Sequence, residues 1–102
     1  MKSILIPKRV SSILESAFEG CHSLSEIVIP DKVIRIGNAV FKDCSSLHCI
    51  TIPDSVEKIE KDAFVGCKSL KKIKASRETF EKFKDYFPLK ARLFSKLRLF
   101  GS

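Results

Sequence analysis

Apolar residues fall at the same places in three consecutive stretches of equal length, residues 4–26, 27–49 and 50–72. Counting from the first Ile of each stretch, position 1 is Ile4, Ile27 and Ile50, and Ile73 opens a fourth stretch. Position 3 is Ile6, Ile29 and Ile52, and position 4 is Pro7, Pro30 and Pro53. Val10, Val33 and Val56 share position 7; Ile13, Ile36 and Ile59 share position 10. Phe18, Phe41 and Phe64 follow at position 15, Cys21, Cys44 and Cys67 at 18, and Leu24, Leu47 and Leu70 at 21. A period between about 20 and 50 residues marks a solenoid, in which each unit buries its apolar side only against its neighbours. Residues one period apart are therefore expected to stack, with Phe18, Phe41 and Phe64 forming a buried aromatic column.

Inside a unit, the alternation in Leu24-Ser25-Glu26-Ile27-Val28-Ile29 is that of a strand. Pro30, with no amide hydrogen to give a ladder, closes it, as Pro7 and Pro53 do in the other units. Stacked units place equivalent strands about 4.8 Å apart in a parallel ladder. Val33 and Ile36 put two more apolar groups inward on a short extended or turning segment. The stretch from Ala17 to Cys21 is too short for an independent helix, and a single turn of α or three-ten conformation is expected.

Leu-x-x-Ile-x-Ile-Pro-x-x-Val-x-x-Ile followed by Ala-Phe-x-x-Cys, repeated over residues 4–73, resembles the BspA-like class of leucine-rich repeats. The second unit departs locally, reading Ala39-Val40-Phe41 where the first has Ser16-Ala17-Phe18, with its Phe still in register. The resemblance implies a right-handed leucine-rich-repeat superhelix with parallel strands on its concave side, short turns or single helical turns, and a C-terminal capping helix. It also implies bacterial surface or secreted proteins that serve as adhesion or protein-binding modules, without a catalytic apparatus. Position 18 in such repeats holds Asn or Cys, whose side chain satisfies backbone groups of the turn.

The fourth unit loses the pattern, since Ala75 and Ser76 replace the inward Ile and the Pro. Ser76 suits an N-cap, Glu78 and Glu81 suit the positive end of a helix, and Phe80, Phe83 and Phe87 fall on one face before Pro88. The expected organisation is thus repeats over 1–75, a cap over 76–88 containing a helix at 79–87, and a basic amphipathic tail over 89–102. Read as a helix, the tail has an apolar stripe of Leu89, Leu93, Leu97 and Phe100 flanked by Lys90, Arg92, Lys96 and Arg98. Such a stripe either packs on the solenoid with its cations in solvent, or docks on an anionic membrane or in a partner's groove.

Composition changes little in this picture. With 102 residues and 44% apolar content there is room for one small core, and no apolar run is long enough to cross a membrane. The N-terminus lacks the pattern of a secretory signal, and no atypical capping unit precedes Ile4, so the chain reads as a piece of a longer protein. Charge is more informative. Residues 1–70 hold 9 Lys or Arg against 9 Asp or Glu, whereas residues 71–102 hold 10 against 3, so the whole net charge of +7 lies in the last third and suggests an anion-binding tail.

Cys21, Cys44 and Cys67 are expected to be buried free thiols, since three in a row cannot all pair. Cys49 stands outside the series, where the other units have Ser3, Glu26 and Lys72, and reads as a solvent-side, reactive thiol. The Cys and His spacing matches no zinc pattern, and no phosphate loop or nucleophile motif is present, so no metal, cofactor or enzymatic activity is expected. Glu57, Glu60 and Asp62 alternate with Lys58 and Lys61 as a self-compensating solvated face. Strand alternation instead defines a candidate surface: with Ile27 and Ile29 inward, Glu26 and Val28 face out, as do Ser3 and Leu5, Cys49 and Thr51, and Lys72 and Lys74. The function expected is protein binding or adhesion through these columns, with an unknown protein partner and no nucleic acid. Two alternatives stand beside it: self-association through the uncapped N-terminal edge, which exposes Ile4, Ile6, Val10 and Phe18, and membrane attachment through residues 89–100.

Overall fold

The structure, a computed structural model, describes residues 2–94. Its strands are β1 (Lys2–Ile4), β2 (Ser12–Ile13), β3 (Leu24–Val28), β4 (Arg35–Ile36), β5 (Cys49–Thr51), β6 (Lys58–Ile59), β7 (Lys72–Lys74) and β8 (Arg92–Phe94). Between β7 and β8 lie helix α1 (Arg77–Phe83) and a three-ten turn, Lys84–Tyr86. Two parallel sheets result, one ordered β1-β3-β5-β7-β8 and the other β2-β4-β6. In the first, Ile4, Ile27, Ile50 and Ile73 are register partners; in the second, Ile13, Ile36 and Ile59 are. The repeat period is thus the register itself, and the chain is a repeat solenoid with parallel strands.

Each strand ends as its proline requires. Ile29 and Ile52 still donate to Thr51 and Lys74 of the next unit, both at 2.9 Å, and the following Pro cannot. The Pro carbonyl then accepts from the Val three residues on, Val10, Val33 or Val56, at 3.2 to 3.3 Å, which turns the chain toward the second sheet.

The turns carrying the Phe residues do more than the expected single helical turn. Within a unit they close tight bonds, such as Cys21 N to Phe18 O at 3.1 Å. Alternate residues also donate onward, Ser16 to Asn38, Phe18 to Val40 and Gly20 to Lys42, so the turn ladders to the next unit as a strand does. This needs a left-handed backbone at position 17, where Gly20 (φ 74°), Asp43 (φ 60°) and Gly66 (φ 81°) stand; Asp tolerates it better than most residues with a Cβ. The departure in the second unit costs no register, because Ala39 (φ 59°) adopts the conformation of Ser16 (φ 61°) and Val40 is buried.

The core runs between the two sheets and the turns. Phe18, Phe41 and Phe64 stack with ring centroids 5.7 and 5.6 Å apart and planes within 7° and 12°. Phe87 continues the column, 5.3 Å from Phe64 but edge-on at 62°. Its place corrects the expectation of a helix over 79–87: α1 ends at Phe83, Phe87 is extended (ψ 154°), and it follows Phe64 by one full period. Nor is the fourth unit abandoned. The turn closed by Ala91 N to Pro88 O at 2.9 Å repeats that closed by Leu70 N to Cys67 O at 3.2 Å, and β8 returns to pair with β7, Leu93 opposite Ile73.

The expected tail helix is corrected with it. Leu93 is half-buried on a strand opposite Ile73, so Leu89 and Leu93 form no helical stripe, and Leu89 is 99% exposed. A strand wins here because the open edge of β7 leaves backbone groups for it to pair with. Lys96, Leu97, Arg98 and Phe100 lie outside the described residues.

Candidate binding surface

Because the position 1 side chains point into the core, their chain neighbours project from the other face of the five-stranded sheet. The register sets Glu26, Cys49, Lys72 and Arg92 side by side, and Val28, Thr51 and Lys74 in a second row. Leu5 lies one residue past β1. Glu26, Lys72 and Arg92 are exposed; Leu5 at 93% and Val28 at 60% leave apolar groups in water; Thr51 and Lys74 are half-buried. Of the tail cations, Lys90 is exposed just before β8, while Arg92 belongs to the sheet face. The face grades from acidic at Glu26 to basic at Lys72, Lys74 and Arg92.

Cys49 does not belong among the exposed groups. It is only 6% exposed, because a short thiol on a central strand sits between the longer Glu26 and Lys72. Burial raises its pKa, Lys74 and Lys72 pull it down and Glu26 pushes it up, with the net direction upward. The thiolate is the reactive form, so Cys49 is a poor nucleophile and not the reactive thiol expected from its place in the sequence.

The position 18 cysteines have a backbone task. Cys44 Sγ donates to Phe18 O at 3.1 Å and Cys67 Sγ to Phe41 O at 3.0 Å, each tying a turn to the unit before it. Burial pushes Cys44 up to about 11 and Cys67 to about 12. All four cysteines are free, and Cys21 is half-buried at the edge of the array.

Elsewhere, Arg35 and Lys58 reach Glu60 at 3.3 and 3.8 Å, exposed pairs worth little. His22 Nδ1 and Ser45 Oγ are 3.1 Å apart across two turns. Among the described residues, no three His, Cys, Asp or Glu side chains converge as a metal set, and no helix is long and apolar enough to cross a membrane.

Strand alternation alone locates the sheet face. It does not reveal Arg92 as a member, because the fourth unit is short: Leu93 pairs with Ile73 before a full period has elapsed. The one available signal is Phe87, which still keeps the period after Phe64.

The BspA type leucine rich repeat region (6 copies) family model matches residues 1–94. Among solved structures, the chain is similar to a leucine-rich repeat protein of T. pallidum, TpLRR, at 36% identity and a TM-score of 0.65, covering 68% of this chain and 32% of that one. It is similar to a leucine-rich repeat protein of Bacteroides ovatus at 27% identity and a TM-score of 0.65, covering 83% and 28%. A leucine rich cell surface protein of Faecalibacterium prausnitzii, at 24% identity and a TM-score of 0.52 over 92% and 32%, shares the fold. The chain spans about a third of the length of each of these proteins. No curated protein matches it. Its family is shown by a model that spans nearly the whole sequence: the chain belongs to the BspA-type leucine-rich repeats.

Proposed function

We propose that this chain is a non-enzymatic protein-binding or adhesion module of a bacterial surface or secreted leucine-rich-repeat protein, and that it meets its partner with the outer face of the five-stranded sheet. The observation that carries this reading is the combination on one face of exposed apolar Leu5 and Val28 with the ordered charges of Glu26, Lys72 and Arg92. Apolar groups left in water beside fixed charges supply contact and orientation together. Five strands spaced about 4.8 Å apart give a face about 19 Å wide, and at about 3.4 Å per residue a three-residue strand gives about 10 Å of length, so the face covers about 200 Å², well under the roughly 800 Å² that a standard interface takes from each partner. A longer array would widen the same face unit by unit.

The test is capture by the wild-type chain followed by reversal of charge. Lys72→Glu/Lys74→Glu is expected to weaken binding of the captured partner at least tenfold, while Lys58→Glu, on the three-stranded sheet, leaves it unchanged. Indifference to Lys72, Lys74 and Glu26→Lys alike would remove the sheet face from the account.

A second reading, self-association through the N-terminal edge, is favoured by a specific contrast. Ile4, Val10, Phe18 and Cys21 are half-buried where Ile27, Val33, Phe41 and Cys44 are buried. Ile6, expected to be exposed with them, is buried. Light scattering across a concentration series decides it, since a strict monomer excludes the reading.

A further inference from the structure

We propose that the groove lined by Ser25, Ser46, His48, Ser69, Lys71 and Lys90 binds a tetrahedral oxyanion, the sulfate or phosphate group of an ester. The groove has a volume of about 500 Å³ and is built by the repeat itself. Ser46 and Ser69 are equivalent residues of consecutive units, as are Ser25, His48 and Lys71, and Lys90 closes the end beside β8. Successive units stand about 4.8 Å apart, so the groove lines up hydroxyl, imidazole and ammonium donors within reach of one small anion. A tetrahedral anion accepts from such a set more completely than a planar carboxylate.

Three observations point to an anion. First, no carboxylate lines this groove, whereas the neighbouring groove of about 610 Å³ sets Glu19 and Asp43 against His22 and Lys68. Second, among the described residues neither Lys71 nor Lys90 is held by an ion pair, so both ammonium groups are available to an anion. Third, carbonyls along the groove are engaged in the ladder: Ser25 O accepts from His48 N at 2.9 Å, His48 O from the amides of Lys71 and Lys72 at 3.1 Å, and Lys71 O from Arg92 N at 2.8 Å. Among the residues lining the groove, the charged side chains are positive and no carboxylate answers them. The excess of 10 cations over 3 anions in residues 71–102 adds a favourable long-range field. This inference concerns the groove and stands or falls independently of the sheet face.

Inorganic sulfate and inorganic phosphate, titrated separately at fixed pH and ionic strength, test it by NMR of the two histidine rings. His48 is expected to shift saturably while His22, in the charge-balanced groove, does not. Whichever anion saturates at the lower concentration tells a sulfated from a phosphorylated ligand. Lys71→Ala/Lys90→Ala is expected to weaken binding by at least about tenfold, as loss of charge-assisted hydrogen bonds does. Ser46→Ala/Ser69→Ala, which keeps every charge, should weaken it severalfold, and Lys82→Ala/Lys84→Ala, on α1 and the three-ten turn that follows it, should leave it unchanged. Unsaturable shifts of both histidines, or equal weakening by Lys82→Ala/Lys84→Ala, would overturn the proposal in favour of an adventitious response to charge.

Discussion

At the scale of single residues, the cysteines separate what position in a repeat dictates from what it does not. The inward direction of Cys44 and Cys67 is legible in the sequence, because position 18 recurs with the period, and each thiol finds the carbonyl of the Phe in the previous unit. The burial of Cys49 is not, because it depends on the lengths of side chains on two other strands, Glu26 and Lys72. With a thiol reagent on the native protein, Cys21 is expected to be labelled first, and Cys44, Cys49 and Cys67 no faster than the chain opens. Labelling of Cys49 ahead of Cys21, read by peptide mass spectrometry, would contradict the packing described. Gly37 shows a second constraint of this kind. A Cβ there would lie 2.9 Å from Glu15 N and 3.0 Å from Ile13 O, both backbone, so Gly37→Ala forces β2 and β4 apart. A loss of about 1 kcal/mol or more in chemical denaturation is expected, in the usual range for overpacking.

At the scale of elements, the fourth unit shows how one substitution redirects a chain. Ser76 replaces the repeat proline, accepts from Thr79 N at 3.1 Å as the N-cap of α1, and donates to Asp54 Oδ1 at 2.7 Å. Thr79 Oγ1 donates to the same oxygen at 2.8 Å, so the helix is fastened to the third unit. The start of this helix can be read from Ser76. The return of the chain as β8 cannot, since so short a unit has no counterpart earlier in the sequence. Ser76→Ala should cost about 1 kcal/mol, the usual loss of a cap. The two hydroxyls, Ser76 first and then Thr79, hold the Asp54 carboxyl below its ordinary value of 3.8. A depressed folded-state pKa means that the charged form stabilises the fold above about pH 4 and that this contribution fades as pH falls through the folded value. Between pH 5 and 3 the wild type is therefore expected to lose more stability than Asp54→Asn, and equal losses would argue against the link.

At the scale of the molecule, the array is held by columns. Side chains one period apart share one interior, each unit touches only its neighbours, and no unit buries its apolar face alone. The sheet face and the anion groove follow from that stacking, because both are made of equivalent positions in successive units. The most direct measurement of the stacking is the unfolding free energy of Phe41→Ala, since Phe41 is fully buried between Phe18 and Phe64. A loss of about 3 to 5 kcal/mol, the range for truncating a buried Phe, is predicted. A loss below about 1 kcal/mol, typical of an exposed site, would contradict it.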